Sequence, residues 1–294
     1  MSKIRAFLEL TRPANVITAW SDILAGMSIV GFLFGFKNYQ VNPSILLGLS
    51  SMLLYAGGVV MNDVFDFKID QIERPERALP SGRLSKSTAI IGGMSLLILG
   101  ILFAYLQSVF SGIIAFILVI NILLYDAYAK NFLVFGPLVM GFCRTLNLAL
   151  GMSVYEIEVL EHLDLLILPL MYIGAITLIS KGEVNGSKKW PMLVALAFYL
   201  FIQIGQLHYS FLHQHLIYTL PFVLIHAYFI YPPLWKAYQN PIGPNIGKAV
   251  KSGVLSLIVM NAGWASIGEQ WFIAIFVFSL LGLSRILAKQ FAVT

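Results

Sequence analysis

The chain has 294 residues, of which 59% are hydrophobic and 11% charged, and its mean hydropathy is +0.83. A soluble globular domain carries about 25% charged residues, so this composition excludes an ordinary soluble enzyme and points to a membrane protein. The formal charge of +5 would suit a polyanion, but its distribution along the chain follows membrane topology, so no nucleic acid partner is expected.

In chain order, the start (Met-Ser-Lys-Ile-Arg-Ala-Phe-Leu-Glu-Leu-Thr-Arg-Pro) reads as a short basic amphipathic lead rather than a cleavable signal. Crossing a bilayer as a helix takes about 20 mostly apolar residues. Such stretches fall at 14–36, 43–62, 88–106, 110–127, 133–154, 164–181, 190–209, 216–236, 247–265 and 270–289. The last two are the least distinct as separate crossings. Clusters rich in Pro, Gly and Asn, such as Asn38 to Pro43 and Asn240 to Pro244, punctuate them. The expected fold is therefore all-α, a polytopic membrane helical bundle forming one domain over 1–294. The single cysteine, Cys143, excludes an intramolecular disulfide and a Cys-based metal site; in its apolar run it reads as a packed thiol.

Of the 19 Lys and Arg residues, all but Lys37 and Arg144 lie before the first stretch, in the even-numbered loops, or at the end of the chain. The opposite loops carry Glu156, Glu158, Glu161 and Glu269. The positive-inside rule then predicts cytoplasmic termini and cytoplasmic even-numbered loops. Some of these charges are positioned to meet anionic membrane lipid.

The first polar constellation follows the second stretch: Asn62-Asp63-Val-Phe-Asp66-Phe-Lys68-Ile-Asp70-Gln-Ile-Glu73-Arg74-Pro-Glu76-Arg77. If the helix continues, Asn62, Asp66 and Asp70 repeat every four residues on one face, and Asp63 falls in the same quadrant as Asp70. Three carboxylates and an amide in one space repel one another unless a cation sits among them. Hard oxygen ligands select Mg²⁺ or Mn²⁺ over zinc, and Mg²⁺ combines one or two carboxylates with waters and phosphate oxygens. The basic residues that follow, Lys68, Arg74, Arg77 and Arg83, suit a phosphate. The expected metal ligands are Asn62, Asp63, Asp66 and Asp70. A plain solvated loop with scattered charges is the competing reading of the same residues.

Here the sequence resembles the UbiA superfamily of intramembrane prenyltransferases. The resemblance rests on Asn62-Asp63-x-x-Asp66-x-x-x-Asp70 and on Arg74-Pro75-Glu76-Arg77-Ala78-Leu79-Pro80-Ser81-Gly82-Arg83, where Ala78 replaces the family's second proline. Leu10-Thr11-Arg12-Pro13-Ala14-Asn15 is similar to the family's opening R-P-x-N. The resemblance implies a bundle of typically nine helices around a lipid-accessible cavity, one fewer than the ten stretches above. It implies Mg²⁺-dependent transfer of a prenyl group from an isoprenyl diphosphate to a hydrophobic acceptor, in this family commonly a phenol, quinone precursor or other ring. Asp66, Asp70 and Lys130 are the expected catalytic residues. Lys68, Arg77 and Lys130 are expected on the phosphate, with Arg12 and Asn15 approaching the same cavity.

Two later segments bear on the site. Leu124-Tyr125-Asp126-Ala-Tyr128-Ala-Lys130 resembles the family segment whose Tyr and Lys lie near the diphosphate, matched here by Tyr125 and Lys130. An interfacial Tyr belt with a snorkelling Lys would look the same. Arg144 lies within the fifth stretch, with Asn147 on its face. An intramembrane arginine is costly and reads as functional by default. It suits either an ion pair with Asp126 or Glu183, or a contact to the diphosphate or acceptor.

Where the family usually has a second acidic motif, this chain has Ser180-Lys181-Gly182-Glu183-Val184-Asn185-Gly186, which resembles the S-R-G-E-V-x-G segment of the EboC-like branch. Two readings stand. Glu183 and Asn185 form a reduced second metal site with Lys181 taking phosphate charge, or the second metal is lost and the activity altered or absent. The functional alternatives are accordingly a polyprenyl-lipid binding protein without catalysis and a membrane transporter.

Overall fold

A computed structural model describes residues 3–32, 42–268 and 270–291; Lys37 and Glu269 fall outside them. All regular structure among these residues is helical. The amphipathic lead forms α1 (Lys3–Thr11). Pro13, a good first helical residue because its missing N–H has no partner to lose, starts α2 (Pro13–Ile29). Gly31 takes a left-handed backbone, φ 69°, just past the end of α2, the usual way to close a helix. The expected 14–36 stretch is shorter for that reason.

Asn42 caps α3 (Pro43–Phe65) by accepting from the Ser44 N–H. After the junction residue Asp66 comes the short α4 (Phe67–Glu73). Ser85 caps α5 (Lys86–Gln107) and Ser108 caps α6 (Val109–Ala127), each accepting an N–H three residues on. Next come α7 (Phe135–Met152), the short α8 (Glu156–Glu161), a 3₁₀ turn (Leu163–Leu166) and α9 (Ile167–Ser180). Then follow α10 (Trp190–Leu212), α11 (Leu216–Gln239), α12 (Gly243–Ala265) and α13 (Phe272–Gln290).

Each of the ten expected stretches contains a long helix. Eight are long and apolar enough to cross a membrane. The other two are α2, with 17 residues, and α12, which carries Asn245, Lys248, Lys251 and Asn261. These two are the central helices: α2 packs on α3, α7, α12 and α13, and α12 also on α9 and α11. Polar residues are tolerated there because protein, not lipid, surrounds them. The peripheral helices turn apolar side chains outward, such as Ile91, Ile98 and Leu102 on α5 and Ile113, Phe116 and Ile120 on α6. Water would not tolerate such a rim; lipid does.

Two glycines bring α2 and α7 into backbone contact. A Cβ on Gly26 would stand 2.6 Å from the Leu148 carbonyl oxygen, and one on Gly151 would stand 2.6 Å from that of Ile23. Small residues permit this approach, the common device of packed membrane helices. It sets Asp22 on α2 opposite Arg144 and Asn147 on α7.

Candidate functional site

The helix expected to run unbroken through the aspartates is interrupted only at Asp66. The Asp66 N–H donates to the Asn62 carbonyl and the Asp70 N–H to that of Asp66, both at 2.9 Å, so the repeat of four persists across the junction. The aspartates therefore stay together, and basic residues from three other segments enter among them. Arg12 Nη2 lies 2.8 Å from Asp63 Oδ1. Arg77 Nη1 lies 2.8 Å from Asp70 Oδ2 and 3.5 Å from Asp63 Oδ1. Lys130 Nζ lies 2.6 Å from Asp66 Oδ1. Asn62 donates to Asp126 Oδ1 at 2.8 Å. Arg12 has a left-handed backbone, φ 47°, a conformation that costs a non-glycine residue of order 1 kcal/mol and is held here by its packing and its ion pair.

The loop that delivers Arg77 is anchored from below. Ala78, Leu79 and Leu84 are buried with Ala6, Leu10, Val60, Val64 and Ala89. Arg83 pairs with Glu9 at 2.6 Å and donates to the Glu76 carbonyl. Arg83 thus holds the loop to α1, which is its role instead of the phosphate contact its sequence position suggested.

These pairs settle the repulsion argument differently from the sequence. Protein cations already neutralise Asp63, Asp66 and Asp70, and among the described residues no three His, Cys, Asp or Glu side chains form a metal cluster. Each of these carboxylates spends one oxygen on its cation, which leaves Asp63 Oδ2, Asp66 Oδ2 and Asp70 Oδ1 for other ligands. Asp126 Oδ2 is buried with no hydrogen-bond partner among the described residues. One or two carboxylate oxygens plus an amide are what Mg²⁺ takes from a protein when phosphate and water complete its octahedron, so this donor set fits the ion.

The cluster adjoins a cavity of about 320 Å³, whose lining takes Arg12, Asn62 and Asp126 from it. Arg12, Asn62, Tyr125 and Asp126 line its polar end; Leu118, Ile122, Ile176, Val254 and Leu257 line its walls; Arg144, Asn147, Ser51 and Thr18 line its other polar part. Tyr55, also in the lining, shares a hydrogen bond with the buried Asn15 and lies within electrostatic reach of both Arg12 and Arg144.

Other expected residues sit elsewhere. Lys68 is exposed on α4 and forms no ion pair among the described residues. Lys181 donates to the Phe132 carbonyl, bracing the turn that follows Lys130; burial lowers its pKa. Arg144 forms an ion pair, but with Asp22, at 2.5 Å between Nε and Oδ2, and not with Asp126 or Glu183.

Glu183 comes near the first motif: burial raises its pKa, and the Arg74 charge opposes that rise. Its Oε1 is buried without a hydrogen-bond partner among the described residues. Gly243 makes this placement possible, because a Cβ there would stand 2.3 Å from the Glu183 carbonyl oxygen.

Asp22 is the functional candidate that sequence reading missed. The signal was present: an acidic residue inside an otherwise apolar stretch, as costly as Arg144 and its natural partner.

The model of the UbiA prenyltransferase family matches residues 24–182, more than half of the chain. The chain belongs to the UbiA prenyltransferase family. The match covers the aspartate motif, Lys130 and Arg144, and ends at Gly182, just before Glu183. Among curated relatives, the digeranylgeranylglyceryl phosphate synthase of Saccharolobus solfataricus is 32% identical over 177 residues, 60% of each protein. The matched segment of other such synthases, from Methanothrix thermoacetophila and Thermococcus kodakarensis, covers 49% of each relative. The chain thus aligns with about half to three fifths of the length of these relatives.

Solved UbiA-type structures share the fold over nearly the whole chain. A structure described for digeranylgeranylglyceryl phosphate synthase superposes with a TM-score of 0.66 at 20% identity, covering 95% of this chain and all of that one. The UbiA homologue from Archaeoglobus fulgidus bound to GPP and Mg²⁺ gives 0.64 at 14% identity, covering 93% and 99%.

Proposed function

We propose that this protein is a multi-pass membrane enzyme that transfers a prenyl group from an isoprenyl diphosphate to a hydrophobic acceptor, with Mg²⁺ as cofactor. The observation that carries the reading is the interleaved cluster of Asp63, Asp66, Asp70 and Asp126 with Arg12, Arg77 and Lys130, which reaches an apolar-walled cavity through Arg12 and Asp126. A carboxylate cluster alone would suit many cations, and a basic cluster alone would suit many anions. The two together match a metal–diphosphate pair, which needs both. The Mg²⁺ and GPP in the Archaeoglobus fulgidus homologue support the same assignment.

Asn62, Asp66 and Asp70 would hold the ion, with Asp63 and Asp126 beside them. When bound, Mg²⁺ supplies charge neutralisation that makes diphosphate a better leaving group. Lys130 and Arg77 each stand 3 Å or less from a carboxylate and swing to the diphosphate as its charge grows, which favours breaking the C–O bond. The apolar walls keep water from the resulting allylic cation. Tyr125 lines the polar end of the cavity, where an aromatic ring would stabilise such a cation through its π face.

The acceptor then attacks within the cavity. The cavity falls in the range of small-molecule sites, about 300–1,000 Å³, and its walls between the two polar parts are apolar, so a hydrophobic acceptor suits it. Reduction of the second acidic motif to Glu183 favours a second reading, a polyprenyl-diphosphate binder without transfer. The charge asymmetry of the loops supports cytoplasmic termini and a cytoplasmic aspartate cluster.

The test is diphosphate release from geranylgeranyl or farnesyl diphosphate in proteoliposomes with a panel of acceptors. Release should require Mg²⁺ and fall at least a hundredfold in Asp66→Ala. Equally slight release from wild type and variant with every donor and acceptor would sink the transfer reading. Retained donor binding in that case would favour the second.

A further inference from the structure

The deep polar part of the cavity has a structure that the donor site does not use. Asp22 is 2% exposed, Arg144 7%, Asn147 6% and Asn261 1%. Asp22 Oδ2 accepts from Asn147 Nδ2 at 2.8 Å and pairs with Arg144 Nε at 2.5 Å. Its Oδ1 accepts from Asn261 Nδ2 at 2.6 Å. Each carboxylate oxygen thus accepts one amide N–H, the Arg144 Nε contact is an ion pair without hydrogen-bond geometry, and the carboxylate of α2 is held by α7 and α12.

The Asp22 carboxylate lies behind the cavity surface, whereas Arg144, Asn147, Ser51 and Thr18 line it. Arg144 Nη2 donates to the Thr18 carbonyl at 2.6 Å. Its Nη1 has no hydrogen-bond partner among the described residues. Ser51 donates to Asn147 Oδ1 at 2.7 Å and fixes the amide orientation. The floor therefore presents the two N–H donors of Arg144 Nη1, with the guanidinium charge paired to Asp22.

We infer that this Asp22–Arg144 floor selects the acceptor: it takes an uncharged oxygen-bearing head, a hydroxyl or carbonyl, and rejects a carboxylate or phosphate. The inference rests on the prenyl-transfer reading and specifies its acceptor. A bare arginine in an apolar cavity would attract an anion. Here the arginine charge is already spent on Asp22. An incoming anion would leave two negative groups around one cation, in a setting where its hydration shell is lost without compensation. A neutral acceptor oxygen meets no such penalty and can accept from Nη1. Asp22 and Arg144 are specificity-determining residues, and they sit apart from the cluster that holds the donor.

The purified full chain is titrated with matched probes: 1-oleoylglycerol against 1-oleoylglycerol 3-phosphate, and 4-hydroxybenzyl alcohol against 4-hydroxybenzoate. Geranylgeranyl diphosphate with Mg²⁺ is titrated in parallel. The wild type should bind the neutral member of each pair at least tenfold more tightly. Asp22→Asn, which leaves the arginine uncompensated, should shift that ratio at least tenfold toward the anion and leave donor affinity unaltered. If Asp22→Asn does not fold, the double variant Asp22→Asn/Arg144→Gln leaves no buried charge unpaired. It should bind the donor as wild type does and the neutral probes about tenfold more weakly.

Equal or tighter binding of the anionic probes by the wild type overturns the inference. So does an unchanged ratio in Asp22→Asn, wild-type affinity for the neutral probes in the double variant, or no binding of any probe by protein that binds the donor. Loss of donor binding in the wild type instead overturns the prenyl-transfer reading, and this inference with it.

Discussion

Arg77 is the residue on which the charge balance of the site turns, because it serves Asp70 and Asp63 together. Arg77→Ala leaves a nearly buried carboxylate without its charged partner, a loss of about 1.5–3 kcal/mol for a charged hydrogen bond. Thermal denaturation in detergent should show that loss, and Mg²⁺ should restore part of it by taking the place of the missing cation. A deficit that Mg²⁺ leaves untouched would argue that these carboxylates do not reach the ion. Glu183 gives a pH signature. Burial raises its pKa in the folded state, so its contribution to stability is fully present below the unfolded value, about 4.3, and is lost as pH rises through the folded value. Glu183→Gln should therefore stabilise the protein near pH 7, and the gain should vanish as pH falls below the ordinary carboxylate range. Denaturation curves at both ends of that range check it. Sequence showed the residues but not their partners. Spacing put Asn62, Asp66 and Asp70 on one face, yet Arg12, Arg77 and Lys130 reach them from segments 7 to 64 positions away, and only the folded chain decides which cation meets which carboxylate.

At the scale of elements, the contact of α2 with α7 sets the depth and polarity of the cavity. Gly26 and Gly151 each face a carbonyl oxygen that a Cβ would approach to 2.6 Å. Gly151→Ala should destabilise the protein by about 1–3 kcal/mol, the usual cost of overpacking. It should weaken acceptor binding more than donor binding, because α2 and α7 carry Asp22 and Arg144 while the donor cluster lies at the mouth. Equilibrium titration of donor and acceptor probes with the variant checks this; equal weakening of both would show that the two ends of the cavity are not separable. Helix positions were readable from apolar length, and the caps at Asn42, Ser85 and Ser108 mark their starts. The order of packing was not readable. α12 carries two lysines and two asparagines and α2 is only 17 residues long; both are central, and a scale that counts apolar length for lipid contact underrates a helix surrounded by protein. The break at Asp66 is likewise invisible to periodicity, since the hydrogen-bond ladder continues across it.

For the whole molecule, ten long helices place Arg12, Asp63, Lys130, Glu183 and Gly243 at one end of the bundle, so the loops that carry most of the basic residues gather around the cavity mouth. The proposed orientation puts that end in the cytoplasm. In a Cys143→Ser background, a cysteine at Tyr155 should react with a membrane-impermeant maleimide on intact cells, and one at Lys86 only after permeabilisation. The reverse pattern would invert the topology. Family membership was legible in the aspartate motif and the Arg74–Arg83 run, because each is a pattern within one short segment; the buried floor was not, because Asp22 answers to Arg144, which lies 122 positions away. The central claim is that the cluster at the mouth binds a metal–diphosphate pair as one unit. Equilibrium binding of geranylgeranyl diphosphate to the purified chain, with Mg²⁺ and with EDTA, for wild type and Asp66→Asn, tests it most directly. Binding should need Mg²⁺ and weaken at least tenfold in Asp66→Asn. Equal affinity in EDTA, or an Asp66→Asn variant that binds like wild type, would contradict it.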